Sequence, residues 1–182
     1  MDNMEYLKNE VVAVLVIKTL EGLEAKIKNL VAKDFKVIEV TLRTECALDA
    51  IKFIKKTFPQ LKVGAGTILT KEQLNICIEN NADFGVAPGL NQEIVKLAQQ
   101  NNFDFIPGIA TASEIEAAMS LGLNLVKVFP AKVLGGVDFI KAVSGPYHMM
   151  KFMPTGGVSE ADYNDYLSLP TVYCVGGTWM NK

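Results

Sequence analysis

Short apolar runs rich in β-branched residues alternate along the chain with longer stretches in which apolar residues recur every three or four positions. The short runs predict strands at Val11–Ile17, Lys36–Leu42, Leu61–Ala65, Asp83–Val86, Asp104–Ile106, Asn124–Val128, Met149–Met153 and Thr171–Val175. Each has the signature of a strand covered by helices. The longer stretches predict helices, among them Leu20–Ala32, Ala47–Thr57, Lys71–Asn80, Asn91–Gln100 and Ser113–Leu121. Thr70 before Lys71 reads as an N-cap, and Thr111 with Glu114 three residues later as a capping box.

Strand and helix alternating in this way predict a parallel sheet, and eight strands favour closure into a (β/α)8 barrel of the TIM type. An open flavodoxin-like or Rossmann sheet is the competing architecture. It calls for a glycine-rich turn after the first strand, and Ile17-Lys18-Thr19-Leu20 holds no glycine. At 182 residues the chain has the length for a single barrel domain, residues 1–182. Only Gly176 to Lys182 follow the eighth predicted strand, so the barrel is expected to lack its final outer helix. The flank beside strands eight and one would then be covered by Met1–Asn9 or by a neighbouring subunit.

Two strands carry charge where the pattern calls for interior positions. In the second, Ile38, Val40 and Leu42 share one face and Glu39, Thr41 and Arg43 the other. With the apolar face against helices, Glu39 points into the barrel and Arg43 reaches the C-terminal rim, where active sites of this fold sit. In the sixth, Leu125, Lys127 and Phe129 share the interior face. A purely structural Glu39–Arg43 or Glu39–Lys127 ion pair, or a lysine snorkelling to the rim, is the alternative. Lysine is seldom interior for stability alone. Burial and a nearby arginine draw such a lysine toward the free amine that attacks carbonyls, while a carboxylate beside it works in the opposite direction. Together Lys127 and Glu39 suggest imine formation followed by proton transfer at the adjacent carbon, chemistry that needs no bound metal.

Glycine and proline cluster after several strands, and two of these clusters stand out. Gly156-Gly157 and Gly176-Gly177, the second followed by Thr178, fall after strands seven and eight, where barrels hold phosphate or carboxylate on backbone N–H groups. His148 begins strand seven at the opposite end and reads as a surface or packing residue. Trp179 and the methionines read as packing, and Lys52, Lys55 and Lys56 as a solvated helix face.

Composition narrows the picture further. Eighteen basic and twenty acidic residues are interspersed, with a net charge of −2, so no basic stripe for nucleic acid is present. The longest apolar stretch, Val11–Ile17, is far shorter than the roughly 20 residues of a membrane span, and the acidic start does not read as a signal peptide. Cys46, Cys77 and Cys174 lack metal-ligand spacing and fit buried thiols in a cytoplasmic protein. With one histidine, no protein-ligated transition metal is expected.

Six segments in order resemble the 2-keto-3-deoxy-6-phosphogluconate and 4-hydroxy-2-oxoglutarate aldolase family. They are Ile38-Glu39-Val40-Thr41-Leu42-Arg43-Thr44, Val63-Gly64-Ala65-Gly66-Thr67, Pro88-Gly89-Leu90, Ile106-Pro107-Gly108-Ile109, Val126-Lys127-Val128-Phe129-Pro130 and Pro154-Thr155-Gly156-Gly157-Val158. The resemblance runs from Val11 to Trp179. It implies a class I aldolase that reversibly splits a 2-keto-4-hydroxy acid into pyruvate and an aldehyde, either glyceraldehyde 3-phosphate or glyoxylate. It matches Lys127 to the Schiff-base lysine and Glu39 to the general acid/base. Arg43 and Thr67 match residues at the pyruvate carboxylate, Pro88 and Phe129 residues lining the pocket, with Thr155 beside it. Gly156, Gly157 and Thr178 match phosphate-binding positions, Thr178 standing where many members carry serine. The family implies a homotrimer without an organic cofactor. Competing readings are another phosphate-binding barrel enzyme, an epimerase or synthase, and a catalytically silent barrel subunit.

Overall fold

The computed structural model describes residues 2–181. Nine short strands, β1 (Val11–Leu15), β2 (Val37–Thr41), β3 (Lys62–Gly66), β4 (Phe84–Val86), β5 (Phe105–Ile106), β6 (Gly108–Ile109), β7 (Leu125–Val128), β8 (Lys151–Pro154) and β9 (Val175–Gly177), are all paired in parallel. Helices α1 (Leu23–Ala32), α2 (Ala47–Thr57), α3 (Lys71–Glu79), α4 (Gln92–Gln100), α5 (Ala112–Ser120), α6 (Gly136–Ser144) and α7 (Tyr163–Leu167) connect them. The strands form a six-stranded sheet, ordered β5-β4-β3-β2-β1-β9, and a three-stranded one, β6-β7-β8. The result is an α/β fold whose parallel sheet curls around an interior. Parallel bridges Phe152↔Val172 and Thr155↔Gly176 tie β8 to the segment that contains β9.

Two predicted strands differ from the observed ones. The fifth is predicted to end at Ile106, yet strand pairing resumes beyond Pro107, at Gly108–Ile109. Proline lacks an N–H, so the ladder breaks there into β5, paired with β4, and β6, paired with β7. The Pro107 carbonyl still accepts from the Lys127 N–H at 2.8 Å. The last strand lies further along than Thr171–Val175. Tyr173 still bonds the Phe152 carbonyl at 2.9 Å, but Val175 N–H turns to the Glu10 carbonyl at 3.1 Å, and Gly176 and Gly177 pair with Val12 and Ala13. The residues read as a glycine turn are therefore strand.

Helix starts follow local chemistry. Thr70 and Thr111 each complete a capping box, with Gln73 and Glu114, and Asn91 caps α4 by accepting from the Glu93 and Ile94 N–H groups. Helix α1 begins at Leu23 rather than Leu20 because Gly22 takes a left-handed conformation, φ 71°, immediately before it.

Alternation along the strands separates two environments. Ala13, Leu15, Ile38, Val40, Val63 and Ala65 pack outward against the helices, for example on Ile27, Ile51, Ile54 and Leu74. Val12, Val37, Phe84, Val86, Ile106, Leu125 and Met153 pack inward with Tyr173 and Cys174. A 3-10 segment, Asp2–Leu7, seals this interior from the end where the strands begin. Leu7 is fully buried there and Tyr6 donates to Asp104 Oδ2 at 3.2 Å. The segment thus plugs the floor instead of covering the flank beside β9 and β1. An interior lined by apolar side chains at its open lower end leaves Leu7 a better burial site than the outer surface. On the flank, a 3-10 turn, Trp179–Asn181, follows β9. Trp179 stacks on Tyr163 with ring centroids 5.7 Å apart, and the Asn181 side chain donates to the Val14 carbonyl at 2.7 Å.

Candidate active site

Strand β2 carries Glu39 on its inward face, and space for its carboxylate exists because Gly66, two residues beyond its register partner Gly64 on β3, has no side chain. A Cβ on Gly66 would overlap the Glu39 carboxylate, just as one on Gly64 would overlap the Phe84 ring. The two glycines of β3 thus make room for one large side chain each, Phe84 in the apolar lower interior and Glu39 above it. Glu39 is 1% exposed and its Oε2 has no hydrogen-bond partner among the described residues.

Strand β7 brings Lys127 to the same level. Its Nζ lies 3.6 Å from Glu39 Oε1 and 5.4 Å from the Phe129 ring centroid, with the lysine 5% exposed. Register with Gly108 on one side and Met153 on the other holds the strand in place. A charge this deep is tolerated because its partner is buried with it. The separation is that of an ion pair just beyond hydrogen-bonding range, leaving both groups free for a third reactant. Below them, burial and then the Glu39 charge push the Cys174 thiol well up, so it stays an uncharged packing group.

The pair forms the floor of a cavity of about 360 Å³ lined by Val14, Glu39, Thr41, Arg43, Thr67, Pro88, Lys127, Phe129, Thr155, Gly156, Gly157, Val158, Gly177 and Thr178. All ten residues singled out from the sequence, Lys127, Glu39, Arg43, Thr67, Pro88, Phe129, Thr155, Gly156, Gly157 and Thr178, are brought together there. Thr67 adopts φ 64°, unusual for a β-branched residue, and is held between strand bonds from Leu42 N–H to the Gly66 carbonyl and from Ile68 N–H to the Val86 carbonyl. Gly156 and Gly157 have φ 93° and 84° and form the rim after β8, facing Thr178 after β9. His148 lies outside the cavity and is exposed.

Sequence reasoning left four lining residues out of the site: Val14, Thr41, Val158 and Gly177. Thr41 shares the inward face with Glu39 and Arg43, so its period-two position signalled it. Val14 follows from the same alternation on β1. Gly177 was hidden by the misplaced last strand.

A model of the KDPG and KHG aldolase family matches residues 3–182. The chain belongs to the KDPG and KHG aldolase family. This aldolase is 47% identical over 170 residues to the KHG/KDPG aldolase of Escherichia coli (strain K12), covering 93% of this chain and 80% of that one. It is 44% identical over 170 residues to the 2-dehydro-3-deoxy-phosphogluconate aldolase of Dickeya dadantii (strain 3937), with the same 93% and 80% coverage. Among solved structures, the KDPG aldolase from Legionella pneumophila, with pyruvate captured at low pH as a covalent carbinolamine intermediate, superimposes with a TM-score of 0.92. That protein is 38% identical, and the match covers 98% of this chain and 87% of the other.

Proposed function

We propose that Lys127 carries the aldol cleavage of this enzyme as a Schiff base, with Glu39 moving the protons. The enzyme is a lyase that cleaves a 2-keto-3-deoxy acid to pyruvate and an aldehyde. The observation that carries the residue assignment is the buried Lys127–Glu39 pair, 3.6 Å apart at the floor of the cavity.

The cycle balances with side chains and water alone. The Lys127 amine adds to the C2 carbonyl, and the carbinolamine loses water to give an imine. Glu39 takes the proton of the C4 hydroxyl, the C3–C4 bond breaks, and its electron pair flows into the imine as an enamine while the aldehyde departs. Glu39 returns its proton to C3, and water releases pyruvate and regenerates Lys127. Arg43 and Thr67 hold the carboxylate of the keto acid, and Pro88 and Phe129 flank the reacting carbons. Thr155 faces the hydroxylated part of the chain. Gly156, Gly157 and Thr178 receive the far end, a phosphate in 2-keto-3-deoxy-6-phosphogluconate or a carboxylate in 4-hydroxy-2-oxoglutarate. The positive φ of Gly156 and Gly157 supports that reading, since successive backbone N–H groups in such turns make anion cradles.

The architecture belongs to the same proposal: residues 1–182 form one (β/α)8 barrel domain, β5 and β6 being a single strand split at Pro107 and the β8 bridges closing the ring. The protein works as a cytoplasmic homotrimer. Three unpaired cysteines support the compartment, and exposed Leu69, Val133 and Met149 offer apolar surface for association. No helix among the described residues is long and apolar enough to cross a membrane.

Borohydride reduction in the presence of pyruvate, read by peptide mass spectrometry, tests the assignment. A lactyl-sized adduct on Lys127, lost in Lys127→Ala, is expected. No adduct on folded wild-type protein would sink it.

A further inference from the structure

Thr41 is 2% exposed, lines the cavity and spends its hydroxyl on two bonds. Its O–H donates to the Leu15 carbonyl on β1 at 3.1 Å, which leaves oxygen lone pairs to accept from Arg43 Nε at 3.3 Å. The carbonyl fixes the hydroxyl's rotor, and the fixed oxygen then selects one edge of the guanidinium. Arg43 is exposed and forms no ion pair among the described residues, so this bond is what restrains it. With Nε engaged, the guanidinium can meet a carboxylate only through its two terminal nitrogens, the end-on fork that gives two parallel charge-assisted bonds.

We propose that Thr41 is the positioning residue that makes Arg43 present this end-on fork to the carboxylate of the keto acid. The inference rests on the assignment of Arg43 to that carboxylate. A lysine at position 43 could not satisfy both partners, since it has no separate Nε edge to anchor while its charge faces the ligand. A serine at position 41 would keep the relay, and a valine would keep the shape and lose it.

The test is saturable borohydride trapping of Lys127 with pyruvate, titrated on wild type, Thr41→Val, Thr41→Ser and Arg43→Ala, and on the Thr41→Val/Arg43→Ala double variant. Loss of the relay in Thr41→Val is expected to raise half-saturating pyruvate roughly tenfold, the size of one hydrogen bond to a charged group. The trapping rate at saturating pyruvate should change by no more than about twofold, and Thr41→Ser should restore wild-type half-saturation. In the Arg43→Ala background the Thr41→Val shift should vanish, which a merely structural role of Thr41 would not produce. Should the valine variant fail to fold, Thr41→Cys, whose sulfur is a weak acceptor, carries the same expectation. An unchanged half-saturation in Thr41→Val, a Thr41→Ser variant equally impaired, or a shift that persists without Arg43 would each overturn the proposal. No adduct on wild type would overturn the Schiff-base assignment beneath it, an outcome distinct from all three.

Discussion

Glu39 occupies the space that a side chain on Gly66 would fill: a Cβ built there overlaps Oε1 of the carboxylate. The carboxylate proposed to move the protons is thus placed by what the neighbouring strand omits. Gly66→Ala should push the carboxylate away from Lys127 while leaving Lys127 on its own strand. The expected outcome is a fall in turnover of about 100-fold or more, as for loss of a general acid/base, with the pyruvate adduct still forming. Overpacking should cost roughly 1–3 kcal/mol of stability, read by urea unfolding. Unchanged turnover would mean that Glu39 is not held by this contact.

The Lys127–Glu39 pair also makes a stability prediction. Lys127 is 5% and Glu39 1% exposed, so removing one partner strands the other as a buried charge. Lys127→Met should destabilise by roughly 3–5 kcal/mol, and the Lys127→Met/Glu39→Gln double variant should recover most of that. Urea denaturation of the four proteins measures the coupling. Additive single effects would show that the two groups are solvated separately.

Much of this site is legible in the sequence because its carriers sit on strands, where period-two alternation sorts interior from exterior. Ile38-Glu39-Val40-Thr41 and Val126-Lys127-Val128 place their charged residues inward on this ground alone. The alternation could not show that Gly176 and Gly177 are strand, since glycine has no side chain to carry a pattern and its usual association with turns misleads. Nor could it show that strand pairing resumes beyond Pro107, at Gly108–Ile109. The 3-10 plug was illegible for another reason: a segment with Met4, Tyr6 and Leu7 has an apolar face, but which surface takes it depends on the shape of the interior that the curled sheet encloses.

That plug carries a pH dependence. Burial raises the Asp104 carboxyl above the usual range, against the opposing bond from Tyr6. Its folded value therefore exceeds its unfolded one, and the ionised group penalises the native state. The penalty is present above the raised folded value and is relieved as pH falls through it toward the unfolded value. Asp104→Asn removes the titration and keeps an acceptor for Tyr6. The variant's stability relative to wild type should be greatest near neutrality and should decline as the solution is acidified, measured as urea midpoints across pH. A difference independent of pH would place the Asp104 effect in packing instead of charge.

The proposed role of the rim after β8, receiving the far end of the substrate, makes a prediction about phosphorylated and unphosphorylated substrates. Gly157 has φ 84°, and a Cβ there would lie 2.5 Å from Lys132 Cβ, so alanine is both strained and crowded. Gly157→Ala should reorient the backbone of this turn while leaving the Lys127–Glu39 floor intact. A dianionic phosphate depends on the turn's N–H donors more than a carboxylate does. The expected result is a fall of at least about tenfold in kcat/KM for 2-keto-3-deoxy-6-phosphogluconate, the equivalent of about 1.4 kcal/mol. The fall for 4-hydroxy-2-oxoglutarate should be smaller, and pyruvate trapping should be unaffected because pyruvate lacks the far end that the rim is proposed to receive. Equal losses with both substrates would indicate that this turn shapes the site as a whole, and the phosphate would then have to be held elsewhere.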